Sequence, residues 1–197
     1  AISRSRGVPL SIASTNFRYV FSGRYLNIFA RLNTYLPNDI VCFEAEDTDE
    51  NFHSNSSAVK KRYVYKILNR EFPDAVMNRY SWHYKYPLDI EKMRIAAKAF
   101  IGEHDFIGFA SSGFSVKTTV REIYSLDVDK NGDIITIDVV GNGFLYNMVR
   151  IIAGTLVFVG GGKINPNDMA DIINSKDRER AGITAPPQGL CLKEVYY

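Results

Sequence analysis

The sequence predicts an α+β protein built as an antiparallel mixed sheet with helices on one face. Three observations carry this expectation. Alternating β-rich runs recur along the chain, two of them meet at an Asn-Gly dipeptide, and helical runs with apolar residues three and four apart lie between them. Strands and helices in that irregular order fit an antiparallel sheet covered by helices better than repeating parallel crossover units.

Taken in order, residues 22–35 (SGRYLNIFARLNTY) place Tyr25, Ile28, Phe29, Leu32 and Tyr35 on one helical stripe, with Ser22 as N-cap and Pro37 as stop. A short strand is expected over residues 40–43. The polar run EAEDTDENFHSNSS that follows is an exposed connection and the best candidate boundary, dividing the chain into 1–45 and 46–197. Residues 61–68 form a strand whose alternation sets Tyr63 and Tyr65 on one face and Arg62 and Val64 on the other. Asp89 caps a helix running to about Ile101, with Ile90, Met93, Ala97 and Phe100 on its apolar stripe. Two β runs then join across Asn131-Gly132 as a hairpin, because that dipeptide tolerates the positive φ of a tight turn.

Residues 143–159 (GFLYNMVRIIAGTLVFV) are the most apolar segment and read as a buried helix. Arg150 stands inside it. An unpaired charge in a low-dielectric interior is costly, so Arg150 needs either solvent, reached along the helix flank, or an anion. The GGGK at residues 160–163 lacks the GxxxxGK[ST] spacing of a phosphate loop and is read as a helix stop. A capped helix over about 165–175 and a strand over 189–197 close the chain.

With 197 residues, 46% hydrophobic and 13% aromatic, the chain has material for a substantial core. No run approaches the ~20 apolar residues of a membrane helix, and the opening residues lack a secretion signal, so a cytoplasmic protein is expected. Cys42 and Cys191 match no metal or redox spacing and read as small apolar residues. His53, His83 and His104 are scattered, so no metal is expected. A net charge of +2 neither demands nor excludes nucleic acid. Two basic clusters, Arg4 with Arg6 and Lys60-Lys61-Arg62, suit either a solvated surface or phosphate contacts. Sheet-borne aromatics beside such cations would make a platform for single-stranded or extruded bases on the face that helices leave open.

Several ordered motifs span the chain: LPNDI at 36–40, FHSNSSAVKKRYVY at 52–65, GEHDFIGF at 102–109, FLYNMVRIIAGTL at 144–156 and TAPPQGLCLKEVYY at 184–197. On these the chain resembles TruA-type tRNA pseudouridine synthases. The resemblance implies two α+β halves of ferredoxin or RNA-recognition-motif character, with residues 1–45 as the rear part of the first half and 46–197 as the second. It implies a homodimer acting on uridines of the tRNA anticodon stem-loop, with no cofactor, metal or nucleotide. It assigns Tyr63 to stacking on the flipped uracil and removing its carbon-bound proton, and Arg150 to pairing with the nucleophilic aspartate. It also assigns Arg4 to base extrusion and Leu190 and Leu192 to packing the site; the basic clusters add Arg6, Lys60, Lys61 and Arg62 as candidate RNA contacts.

One position departs from the pattern. The family loop reads Ser/Gly-Arg-Thr/Ser-Asp, whereas residues 3–8 here are SRSRGV, and the first acidic residue of the chain is Asp39. Either the aspartate is missing between Ser5 and Arg6, or Ser5 occupies its place. Serine is a poor nucleophile without an adjacent base. Two functions follow as expectations: an isomerase acting on tRNA, or a degenerate synthase that binds tRNA without chemistry.

Overall fold

The computed structural model describes residues 19–20, 32–42, 45–46, 48–113 and 116–197. Most of the described chain forms one six-stranded mixed sheet with helices against it, which is the α+β class the sequence predicts. Its strands are β3 (Lys60–Leu68), β4 (Trp82–His83), β5 (Gly102–Asp105), β6 (Val120–Asn131), β7 (Ile134–Gly141) and β8 (Leu190–Tyr196). A separate two-residue parallel ladder joins β1 (Tyr19–Val20) to β2 (Ala45–Glu46). The helices are α1 (Ile90–Lys98), α2 (Met148–Gly160) and α3 (Met169–Ser175).

β3 is the hub of the sheet. Antiparallel β7 takes one edge along its whole length, while antiparallel β8 covers residues 60–65 of the other edge and parallel β4 covers Ile67 and Leu68. The strand ladder continues from β7 through β6 to β5. Registered partners share a sheet face, so Tyr63, Tyr65 and Ile67 line up with Val139, Ile137 and Ile135 of β7, and those with Leu126 and Val128 of β6. That face is the core. It packs against Met93, Ala96 and Ala97 of α1 and the apolar body of α2.

Several elements differ from expectation for identifiable reasons. The helix expected over 22–35 is seen at residues 32–35, and its remainder lies outside the described residues. Residues 40–42 form no strand. The Asn33 side chain accepts from the Cys42 backbone N–H and donates to its carbonyl, both at 2.8 Å, satisfying those groups without a ladder. The hairpin turn lies one residue later than read: Asn131 pairs with Ile134, leaving Gly132 and Asp133 as the two-residue loop. Only Gly132, at φ +56°, takes the positive-φ position. The apolar helix begins at Met148 rather than residue 143, because Asn147 adopts a left-handed conformation, φ 61°. The GGGK run does end α2, with the Gly161 and Gly162 N–H groups bonded back to Val157 and Val159.

The strand tyrosines do not form the aromatic platform expected on the open face; among the described residues Tyr196, beneath Lys60, is an aromatic on that side. Alternation turns Tyr63 and Tyr65 to the helix-covered side, where Trp82 also packs against the core. The opposite face carries Arg62, Lys66, Thr136, Asp138, Asp127 and Asp129, a mixed-charge surface suited to water.

Candidate active site

The site is built from β3, its neighbour β8, and the head of α2, which packs against β3. Tyr63 lies between Val139 and Leu192 as cross-strand neighbours, with Leu190 two residues along β8 facing Tyr65. Leu190 and Leu192 therefore share the Tyr63 face, and Leu190 packs onto the core. Phe144, in the loop before α2, sets its ring edge-on to Tyr63 at 5.2 Å. Burial pushes the Tyr63 hydroxyl above its ordinary pKa, so it stays a neutral phenol at physiological pH. No group among the described residues hydrogen-bonds that hydroxyl.

Arg150 sits one turn into α2 and is half-buried. Its Nε donates to the Ala185 carbonyl at 2.7 Å, its Nη1 donates to Asn147 Oδ1 at 2.8 Å, and its own carbonyl accepts from Ala185 N–H at 3.1 Å. No carboxylate among the described residues pairs with it. Guanidinium carries five N–H donors, so Nη2 and one Nη1 hydrogen remain for another acceptor. The sequence left solvent or an anion as alternatives; two neutral oxygens hold the group in place and leave its charge unanswered.

Tyr65 completes the frame. Its hydroxyl donates to the Pro186 carbonyl at 2.6 Å, next to the carbonyl that receives Arg150. Burial raises its pKa well beyond the usual range, and the nearby Arg150 charge offsets this in part. Residues 184–187 thus form a strap tied to β3 by Tyr65 and to α2 by Arg150. Behind it, Thr155 Oγ1 donates to Ile151 O at 2.7 Å and accepts from Gly182 N–H at 2.8 Å. A Cβ at Gly154 would collide with the Ile183 carbonyl, and one at Gly182 would stand 2.5 Å from Thr155 Cα. Two glycines let the chain before the strap lie directly on the helix.

The basic triplet does not act as one patch. Lys61 shares the Tyr63 face and donates to Asn55 Oδ1 at 3.2 Å. Lys60 and Arg62 point to the other side, Lys60 over the Tyr196 ring at 4.1 Å and Arg62 bidentate on Asp138 at 2.6–3.1 Å. That carboxylate holds the Arg62 guanidinium firmly in its charged form. Arg4 and Arg6 lie outside the described residues. Of the cysteines, Cys42 is buried and Cys191 half-buried. No group of three or more potential metal ligands occurs among the described residues.

Residues 96–197 match the family model described as tRNA pseudouridine synthase, a span that holds Arg150, Leu190 and Leu192. The tRNA pseudouridine synthase A of Thermoanaerobacter sp. (strain X514) is 54% identical over 166 residues, which cover 84% of this chain and 68% of that protein. The tRNA pseudouridine synthase A of Bacillus subtilis (strain 168) is 44% identical over 189 residues, covering 96% of this chain and 72% of its own. The chain belongs to the tRNA pseudouridine synthase family. The likeness to the Bacillus protein extends over more of the chain than the family model does.

Sequence reasoning missed three contributors to this candidate site. Phe144 was assigned to a helix it does not join. Tyr65 was read as a strand residue without a partner for its hydroxyl. Asn147 went unmarked, although an asparagine three residues before a lone apolar-helix arginine is a local signal for a side-chain clamp.

Proposed function

We propose that this chain isomerises uridine to pseudouridine in the anticodon stem-loop of tRNA. The observation that carries the proposal is Arg150: a guanidinium fixed by two neutral oxygens, with donors left over and no carboxylate partner among the described residues. Such a group is preorganised for an anion that arrives from elsewhere. In this reading that anion is the nucleophilic carboxylate. Tyr63 offers a rigid ring for the extruded uracil to stack on, and its raised pKa favours the neutral phenol. The bond between ribose C1′ and N1 breaks, the base turns, C5 bonds to C1′, the C5 proton passes to solvent and N1 takes one proton up; nothing is oxidised or reduced, so no cofactor is required. Leu190 and Leu192 wall the ring on its β8 side.

The proposal extends to a cytoplasmic homodimer that holds tRNA, with residues 1–45 and 46–197 as its two halves. Among the described residues no helix is long and apolar enough to cross a membrane. Among the described residues the core cluster spans residues 63–190, which lie within the proposed second half. Lys61 is the member of the basic triplet suited to phosphate near Tyr63; Arg62 would first have to share Asp138. Arg4 and Arg6 complete the proposed RNA contacts.

The loop SRSRGV favours a second reading, tRNA binding without isomerisation, because the loop itself holds no carboxylate. Release of tritium from tRNA labelled at uridine C5 separates the two, measured on this chain and on a variant with aspartate inserted between Ser5 and Arg6. A gain of about 100-fold or more on insertion supports the enzyme site as otherwise complete. Silence in both, with salt-dependent tRNA binding retained, selects the binding reading. Absence of tRNA binding overturns both.

A further inference from the structure

We infer that Asn147, backed by Ser111, is a positioning residue that sets the direction of the Arg150 guanidinium; the inference deepens the proposed function and takes the role of Arg150 from it.

The argument starts from an anomaly at the head of α2. Asparagine is among the best N-cap residues because its side chain accepts from a free backbone N–H in the first turn. Asn147 stands at the N-cap and makes no such bond. It also holds φ at 61°, a left-handed conformation that an L residue adopts at a cost and that asparagine bears better than most. The helix gives up a cap and accepts strain at one residue. Strain at a single position, kept by its surroundings, is a mark of a functional constraint.

Both ends of the carboxamide are engaged elsewhere. Oδ1 accepts from Arg150 Nη1 at 2.8 Å, and Nδ2 donates to Ser111 Oγ at 2.9 Å. Its orientation follows from chemistry, since arginine only donates and the oxygen must therefore face it. Ser111 is itself tied back, its N–H bonded to the Tyr146 carbonyl at 3.1 Å. The chain Tyr146–Ser111–Asn147–Arg150 runs from a backbone carbonyl to the guanidinium. Ala185 holds the Nε end and Asn147 the Nη1 end. With Nε and Nη1 both held, the planar group is hindered from turning about its last bond, and Nη2 is left as the open donor. Without Asn147 the Nε bond alone would define an axis rather than a direction.

The test is nitrogen-15 NMR of the arginine side chains, with Arg150→Lys supplying the assignment. In the unaltered chain Arg150 is expected to show resolved Nη signals, because rotation is hindered. Asn147→Gly retains access to positive φ while removing the amide, so the fold is kept. The Nη signals should then merge into one averaged line, while the Nε signal, held by Ala185, persists. Resolved Nη signals in Asn147→Gly would overturn the inference. Should that variant not fold, Ser111→Ala decides: Nη exchange about threefold faster supports the relay, and unchanged exchange overturns it. Wherever turnover on tRNA is measurable, Asn147→Gly should lower kcat about tenfold with KM and melting temperature unchanged, a split that a purely structural residue would not give. The spectra need neither tRNA nor turnover. A chain that isomerises nothing still tests Asn147, and a fixed guanidinium in Asn147→Gly would leave the proposed activity standing.

Discussion

The first turn of α2 and the rest of that helix are built on opposite terms. From Ile151 to Val157 every residue is buried, and the one polar side chain, Thr155, has both a donor and an acceptor partner inside the protein. At the first turn, Asn147 is strained, no side chain caps the helix, and Arg150 keeps donors that nothing among the described residues fills. The body of the helix satisfies itself; its head is left incomplete. Folding energy explains the first arrangement and not the second, which points to a ligand.

The largest expected effect comes from pressing on the satisfied part. Gly154→Ala sets a methyl group against the Ile183 carbonyl, where backbone has to move, and should cost about 3 kcal/mol or more in urea unfolding. Thr155→Val preserves shape but leaves the buried Gly182 N–H unmatched, and about 2 kcal/mol should be lost by the same measurement. At the head of the helix the balance reverses. Arg150→Ala should cost only about 1 kcal/mol of stability, because removing a half-buried charge offsets the two bonds lost, yet it should abolish any proton release from tRNA. Smallest of all is Asp138→Asn on the far face, where the ion pair with Arg62 is partly exposed and its loss should change stability by less than about 1 kcal/mol, with a larger fraction of the effect at low salt.

The contrast also marks how far the sequence could be read. Periodicities of two and near four located β3, β6, β7, β8 and α1 within a few residues, since each depends on its own side chains. Alternation placed Tyr63 and Tyr65 together, but it could not say that helices cover their face, because that follows from register with β7 and β8, strands far along the chain. Arg150 announced itself as a charge in an apolar run. Its partner Ala185 lies 35 residues away and acts through a carbonyl, a group every residue possesses, so nothing in the side chain betrays it. Asn147 fell inside the helical pattern because φ is not written in hydrophobicity. Asn33 displaced a strand from residues 40–42 by the same means, a side chain competing for backbone groups.

The most direct test of the account sets Arg150→Ala beside Gly154→Ala in one urea denaturation series. The account predicts that the arginine variant unfolds within about 1 kcal/mol of the unaltered chain while the glycine variant falls by about 3 kcal/mol or more. Equal and large losses in both would contradict it, for Arg150 would then be part of the scaffold rather than a group held open for a ligand.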